Sequence, residues 1–532
     1  MVRVRRKIAA SPLVSVASTG RKAEGGATVT GLPVDDPYRL GMVFAERGKY
    51  HEAIVCFEEA LKTRPNDPAA LFALANAARD MGMADNAIEL YNRCLQTGWN
   101  RVYVIGTLAK HLRQLSRFGA AVDLLQAELL RDASSPDLWD ALGSTVLLQG
   151  DEESAGTFFQ EALRLRPNHF AALANFASLT AQRRDFPAAL QLYDKAVKAA
   201  PKNGQLRLNR ALLMLLTGDT KRGWREYEWR LQAGKPVRRT LDGLKRWDGR
   251  KIPGKRLLVC VEQGIGDQIA FYGILPEVVA DAGSLVVECD VRLRPALERS
   301  FPGIPFAGAV QTETPNEYLF RYPWLPDAGG ADRYIELGSL PRFYRNRIED
   351  FPKPHAYLKA DPEATRDWRA WLSTLGPGRK IGISWRSGRK GAERDRQYAP
   401  TSHWEKLVSR PGTVFVNLQY DDCAEEIAAF KARTGANVHV PPKLDQKQDI
   451  DRTLALMAGL DAVISAPNAV ASMSAALGTP TYKLLNDCGW TNLGRDYEPF
   501  YPSCRIIARP RGANWREAFQ VVEGILKTLP AR

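Results

Sequence analysis

The sequence predicts a chain of two unlike parts: an all-α repeat array, then an α/β region built as two doubly wound lobes. Two observations carry this. A period of 34 residues, with small residues in fixed columns, runs from about Val34 to Pro236. Beyond it, short apolar runs alternate with helical patterns, and two of those runs, Leu257–Val261 and Lys380–Ser384, open into glycine-containing turns.

Composition sets the bounds. The 532 residues suggest two to four domains, and a hydrophobic fraction of 45% is that of ordinary globular protein. No run of about 18 apolar residues occurs, so no membrane span is predicted. Residues 1–34 read as a flexible, basic leader without the apolar core of a signal peptide. The seven cysteines form no Cys-x-x-Cys pair, which predicts reduced thiols in a cytoplasm and neither a disulfide frame nor a zinc site. A formal net charge of +14 favours anionic partners, nucleic acid or a nucleotide diphosphate. No nucleic-acid-binding signature supports the former.

The repeat array is assigned to residues 35–235 in six units. One column of small residues reads Ala53, Ala87, Ala121, Ala155, Ala189 and Gly223, and a second reads Gly41, Ala75, Ala109, Gly143, Ala177 and Ala211. Pro65, Pro167 and Pro201 close their units; the second and third units lack that proline. Apolar spacing such as Ala53, Ile54, Phe57, Ala60 and Leu61 is helical, and turns such as Arg47-Gly48-Lys49 split each unit into two helices. Period, columns and prolines match the tetratricopeptide repeat. Stacked pairs present a concave face suited to a protein partner; a spacer or oligomer contact is the plainer alternative. Trp139, Phe158, Phe159 and Tyr193 read as repeat core.

A hinge over Lys235–Gly254 leads to the first lobe, residues 236–375. Its opening strand feeds Glu262-Gln263-Gly264-Ile265-Gly266-Asp267, and Gln268–Ala280 reads as the following helix. An acid here is poorly placed to hold a phosphate; Asp267 either accepts a proton or hydroxyl, or caps the helix. A second strand covers Leu285–Cys289, Arg299–Asp332 reads as irregular, and Pro362–Leu375 reads as a crossover helix. The second lobe, 376–532, opens with a strand ending in Ser384-Trp385-Arg386-Ser387-Gly388, followed by Arg389, Lys390, Arg394 and Arg396. Further strands are Thr413–Tyr420, Ala462–Ser465 and Thr481–Leu485, the last ending at Asn486. Helix Ala469–Leu477 follows Ser465-Ala466-Pro467-Asn468, a natural diphosphate seat, and Trp515–Leu529 is the last helix. The plainer alternatives are Ser465 or Asn468 as a simple cap, and the basic cluster as a solvated loop.

These motifs, in this order behind the repeats, resemble the bacterial tetratricopeptide-repeat glycosyltransferases, relatives of the heptosyltransferase-type family and more distantly of O-linked N-acetylglucosamine transferase. The resemblance covers about residues 36–530. It implies a GT-B fold of two Rossmann-like lobes, with the donor held by the second. It implies inverting, metal-independent transfer from a nucleotide sugar, with no further cofactor, to a protein acceptor recruited by the repeats, in some relatives flagellin. Asp267 then matches the proposed general base. Gly264, Gly266, Ser384, Trp385, Arg386, Ser387, Gly388, Gln419, Tyr420, Ser465, Pro467, Asn468, Ala469, Ser472 and Asn486 fall on the donor side. Relatives often carry Asp-Thr where this chain has Pro467-Asn468, and His where it has Ser472. The alternatives are a repeat scaffold whose transferase-like half is inactive, and a cell-envelope glycosyltransferase.

Overall fold

The computed structural model describes residues 36–529 apart from 263, 315, 352–355, 389–396, 488 and 510–512. The basic leader, Gln263, Cys488 and the cluster Arg389, Lys390, Arg394 and Arg396 therefore lie outside the described residues.

Six helix pairs form the first part: α1 (Pro37–Glu46) with α2 (Tyr50–Thr63), α3 (Pro68–Asp80) with α4 (Ala84–Gln96), α5 (Arg101–Gln114) with α6 (Phe118–Arg131), α7 (Pro136–Gln149) with α8 (Glu152–Leu165), α9 (Phe170–Gln182) with α10 (Phe186–Ala199), and α11 (Gly204–Leu216) with α12 (Thr220–Tyr227). Aspartates recur at the starts: Asp67 accepts from the Ala69 and Ala70 amides at 3.0 and 3.2 Å, with Pro68 following as the first helical residue. The small columns have a steric cause. A Cβ on Gly41 would lie 2.6 Å from the Phe57 ring, and one on Gly143 would lie 2.7 Å from the Phe159 ring. The second and third units pair their helices without the closing proline.

The second part holds two parallel sheets and a small mixed one. Its strands are β1 (Val237–Thr240), β2 (Lys245–Arg246), β3 (Lys255–Cys260), β4 (Gly283–Glu288), β5 (Phe306–Ala307), β6 (Val310–Glu313), β7 (Tyr318–Arg321), β8 (Arg333–Glu336), β9 (Arg379–Ser384), β10 (Thr413–Asn417), β11 (Val438–His439), β12 (Ala462–Ser465), β13 (Thr481–Leu485) and β14 (Cys504–Ala508). Its described helices are α13 (Ile265–Tyr272), α14 (Leu275–Ala282), α15 (Arg294–Ser300), α16 (Pro341–Tyr344), α17 (Pro362–Thr374), α18 (Thr401–Val408), α19 (Ala424–Thr434), α20 (Ile450–Gly459), α21 (Ala469–Ala476) and α22 (Trp515–Thr528). The first parallel sheet has the order β2-β8-β3-β4-β5, the second β11-β10-β9-β12-β13-β14. Counted from its own first strand the second reads 3-2-1-4-5-6, the doubly wound order in which ligands lie where the winding reverses, between strands 1 and 4. That point is the junction of β9 and β12. In the first sheet the corresponding reversal lies between β3 and β8.

Four sequence expectations are corrected. Lys235–Gly254 is not a hinge but carries β1 and β2, paired with β7 and β8. Arg299–Asp332 is not irregular: β6 and β7 form an antiparallel pair inside it. The helix expected over Gln268–Ala280 is two, α13 and α14. Pro276 has no amide hydrogen to give the preceding turn, and its ring crowds the carbonyl there. The crossover helix α17 packs against α20 of the second sheet, its Trp368 Nε1 donating to the Arg452 carbonyl at 3.1 Å. The joint between the sheets therefore precedes Pro362. One apolar core runs unbroken from Trp224 and Tyr227 through β3 and β4 to Val470, Met473 and Phe500.

Candidate functional site

Strand β3 is apolar and wholly buried over Leu257–Cys260, which fixes the direction in which its carboxyl end points. Gly264 then caps α13 in an extended conformation, and Asp267 stands in the first turn. The cap has no side-chain hydrogen bond, and among the described residues none donates to the Asp267 carboxylate, so the capping alternative finds no bond to rest on. Burial, with the Glu262 carboxylate as second cause, pushes Asp267 up from 3.8 to about 6; Lys483 works in the opposite direction. A carboxylate in that range is tuned toward accepting a proton near neutrality.

The ends of β9, β10 and β12 are tied together by side chains. Gln419 Oε1 accepts from Ser384 Oγ and from the Trp385 and Arg386 amides, each at 3.2 Å. Asn468 Nδ2 donates to Ser384 Oγ at 2.8 Å and to the Arg386 carbonyl at 3.0 Å, while its Oδ1 accepts from the Val470 amide at 3.0 Å. Ser465 Oγ donates to Asn468 Oδ1 at 3.0 Å. Asn468 is thus a cap for α21 and also the knot of the junction. Ser384, Gln419 and Ser465 are buried within it. Trp385 is buried against Phe430, and its Nε1 donates to Glu426 Oε1 at 3.0 Å. Tyr420 Oη lies 3.3 Å from Ser387 Oγ and accepts from the Gly388 amide at 2.9 Å. Pro467 is half-buried in the same loop.

Arg386 has an occupation that the sequence did not reveal. Its Nε and Nη2 donate to the two Glu426 oxygens at 3.0 and 2.5 Å, Nη2 also to the Asp422 carbonyl at 3.1 Å, and Nη1 to Asp421. With these side chains largely buried, Arg386→Ala strands two carboxylates and should cost about 1–3 kcal/mol of stability, read by thermal melting. Unchanged melting with weaker nucleotide binding would instead make it a phosphate contact. Asn486 stands at the end of β13, where its Oδ1 accepts from Arg509 Nε at 2.6 Å, apart from the β9–β12 junction.

The two glycine- and proline-marked loops meet. A Cβ on Gly266 would lie 3.4 Å from Ser472 Oγ and 3.6 Å from Ala469 Cα, so the start of α13 faces the start of α21 across the interval between the sheets. Gly266, Asp267, Ala469 and Ser472 are brought together, with Ser465–Asn468 immediately behind. Two helix N-termini with their partial positive charge converge there. The residues that complete the surround were not singled out from the sequence. Tyr501 Oη donates to Ser472 Oγ at 2.8 Å. Lys483 is held by Glu498, which also accepts from Thr491 Oγ1 at 2.9 Å. Burial lowers the Lys483 pKa, with Cys504 and Asp267 opposing. Its signal was present: a lone charge inside the apolar run Thr481–Leu485. Arg230 donates to Glu262 Oε1 at 2.8 Å and to Ser339 Oγ at 2.8 Å, bringing the end of the repeats to the carboxyl edge of the first sheet. Among the described residues no group of three or more His, Cys, Asp or Glu could hold a metal ion, and no helix is long and apolar enough to cross a membrane.

Comparison with known proteins agrees with the repeat array and extends beyond it. The tetratricopeptide-repeat family model matches residues 38–101, 107–170 and 175–223. Protein FlbA of Caulobacter vibrioides is 33% identical over 503 residues, an alignment covering 92% of this chain and 84% of that protein. The Homo sapiens protein O-mannosyl-transferase TMTC1 is 25% identical over 180 residues, covering 33% of this chain and 20% of that protein. Among solved structures, a thermophilic tetratricopeptide-repeat protein of Thermus thermophilus is 26% identical, covering 34% of this chain and 98% of that one, with a TM-score of 0.29.

Proposed function

This chain belongs to the family of the Caulobacter vibrioides protein FlbA, and from that premise we propose that it is a glycosyltransferase moving a sugar from a nucleotide-sugar donor to a protein acceptor held by its repeats. The observation that carries the reading is the meeting of Gly266 and Asp267 with Ala469 and Ser472, each pair at the carboxyl edge of its own parallel sheet. The two sheets are read as the two lobes of a GT-B enzyme, the second holding the donor. The reading is supported by the order of the motifs and, over a third of the chain, by the name of the partial human relative. Flagellin, the acceptor of some members of the family that the motifs resemble, is the acceptor class proposed. The cytoplasm is the compartment proposed for the reaction.

In this mechanism Asp267 takes the proton of an acceptor hydroxyl as its oxygen attacks the anomeric carbon. The new C–O bond forms on the face opposite the leaving group, so the configuration inverts. The bond to the diphosphate breaks, and the nucleoside diphosphate leaves with the electron pair. The amides at the start of α21 face its growing charge. A single displacement of this kind requires no metal and no further cofactor.

A base must be ionised to act, and burial holds Asp267 at about 6. Transfer should therefore fall about tenfold per pH unit below that value and level off above it. A pH–rate profile between 5 and 8 checks this; a flat profile would exclude a base of this pKa. Incubating the purified full-length protein with a panel of nucleotide sugars and measuring nucleoside diphosphate release tests the activity itself. The self-satisfied network of Ser384, Gln419 and Asn468, with Arg386 already paired, favours one rival: a repeat scaffold whose transferase-like half is inactive. No release from any donor would decide for it.

A further inference from the structure

We propose that a cavity between the second and third repeats seats an Asp or Glu side chain of the protein partner, with an apolar neighbour of that residue lying on exposed aromatic rings beside it. The proposal rests on the reading that the repeats recruit a protein, and it supplies the chemistry of what they recognise. The cavity encloses about 500 Å³ and lies between the end of α3, the start of α4 and the second half of α5; Arg79, Asp80, Thr107, Lys110, His111 and Gln114 are among its lining.

Two observations point to an anion. Lys110 is exposed and has no ion-pair or hydrogen-bond partner among the described residues. Arg79 is held in place by Asp80 Oδ1 at 2.8 Å through Nε and by Asn76 Oδ1 at 3.0 Å and Tyr91 Oη at 3.3 Å through Nη1. That leaves its Nη2 unbonded among the described residues. The carboxylate in the lining, Asp80, is already neutralised by Arg79. Donors predominate, and a carboxylate with its two acceptor oxygens answers them.

A third observation selects a peptide over a small anion. Tyr103, Thr107, Lys110 and Gln114 are spaced by four, three and four residues along α5, so they fall on one stripe of the helix. Tyr103 is 56% exposed, and the Phe72 ring packs beside it and Trp99 with centroids 5.3 and 5.7 Å away. A polar seat continued by an aromatic shelf fits an acidic residue with an apolar neighbour.

The probe is an array of random dodecapeptides presented to the full-length protein and to its Lys110→Glu and Tyr103→Ala variants, both altered at exposed positions. For the wild type, bound peptides should be enriched in Asp or Glu next to an apolar residue. Lys110→Glu should weaken those peptides by about tenfold or more and shift the preference toward Lys and Arg. Tyr103→Ala should weaken them while keeping the preference for acid. Absence of acid enrichment, or enrichment that survives Lys110→Glu, overturns the proposal. So does inorganic phosphate or acetate that protects the protein from melting as well as the best peptide does. Nucleotide-sugar turnover by Lys110→Glu should equal that of the wild type, so failure of the transferase reading and failure of this one are separate results.

Discussion

Asp267→Asn is expected to give a protein that transfers sugar about 100-fold or more slowly than the wild type and yet is more stable at pH 7. Loss of turnover follows from loss of the base. The gain in stability follows from the environment that tunes it. Burial and the nearby Glu262 hold the carboxyl at about 6 in the folded chain, against 3.8 when free. A pKa raised by folding means that the folded state grips the proton more tightly than the unfolded one. Below about pH 3 both states are protonated and the group is neutral to stability. Between about pH 3 and 6 the cost of ionising it in place grows, and above 6 it is constant at about 3 kcal/mol. Asparagine has no charge to desolvate, so the variant should recover about 1–3 kcal/mol at pH 7 and almost nothing at about pH 3. Melting at the two pH values, with turnover at pH 7, checks both halves. A variant as active as the wild type would remove Asp267 from the mechanism, and one that is less stable at both pH values would return it to a capping role.

What the sequence disclosed, and what it hid, divides by the distance over which the determining contact acts. The repeat period was legible because each unit solves the same local packing problem: the small residue of Gly41 or Gly143 admits the ring of Phe57 or Phe159 sixteen residues later. Strands β3, β9, β12 and β13 were legible because burial on both faces makes each a short apolar run. Strands β1, β2 and β5 to β7 were not. Each is two to four residues long, and β1 and β2 pair with strands far along the chain. At the site, the glycine- and proline-marked turns announced Gly266, Asp267 and the start of α21. No local pattern could announce that Arg386, two residues before a glycine, spends its charge on Asp421 of the loop after β10 and on Glu426 in the first turn of α19. The partners of Glu262 and Lys483 were hidden for the same reason: Arg230 and Glu498 come from other elements.

Cutting the chain at the boundary that the sequence suggests should destroy the second half, whereas a cut one repeat earlier should spare it. A fragment of residues 236–532 lacks α12 and the turn after it, and these belong to the core of the α/β half. Trp224 and Tyr227 are 1% and 4% exposed. The Trp224 ring meets Phe271 of α13 as well as Trp490 and Phe500 of the segment beyond β13, with centroids 6.1–6.2 Å apart, so one side chain touches both sheets' surroundings. Truncating a buried Trp or Phe costs about 3–5 kcal/mol. Removing two such rings together approaches the stability of a typical domain, about 5–15 kcal/mol. The same cut removes Arg230, 5% exposed by side chain, and leaves Glu262, 6% exposed, as a buried carboxylate without its partner. That loss costs a further amount of about 3–5 kcal/mol. The fragment should aggregate on expression. A fragment starting at Gly204 keeps α11, α12, Trp224 and Arg230, and gives up the contacts of α11 with the preceding pair, among them Leu206 and Leu213, together with the half-exposed Arg184–Asp487 ion pair and the bond from Asn316 to the Glu46 carbonyl. It should fold with a cooperative melt and retain nucleotide-sugar binding by calorimetry, while losing transfer to the protein acceptor. Trp224→Ala in the full chain isolates the cause, since it leaves Arg230 in place and should still lower the melting temperature of the second part. If residues 236–532 proved soluble and bound donor as tightly as the full chain, the sixth repeat would be an independent module rather than a wall of the catalytic half.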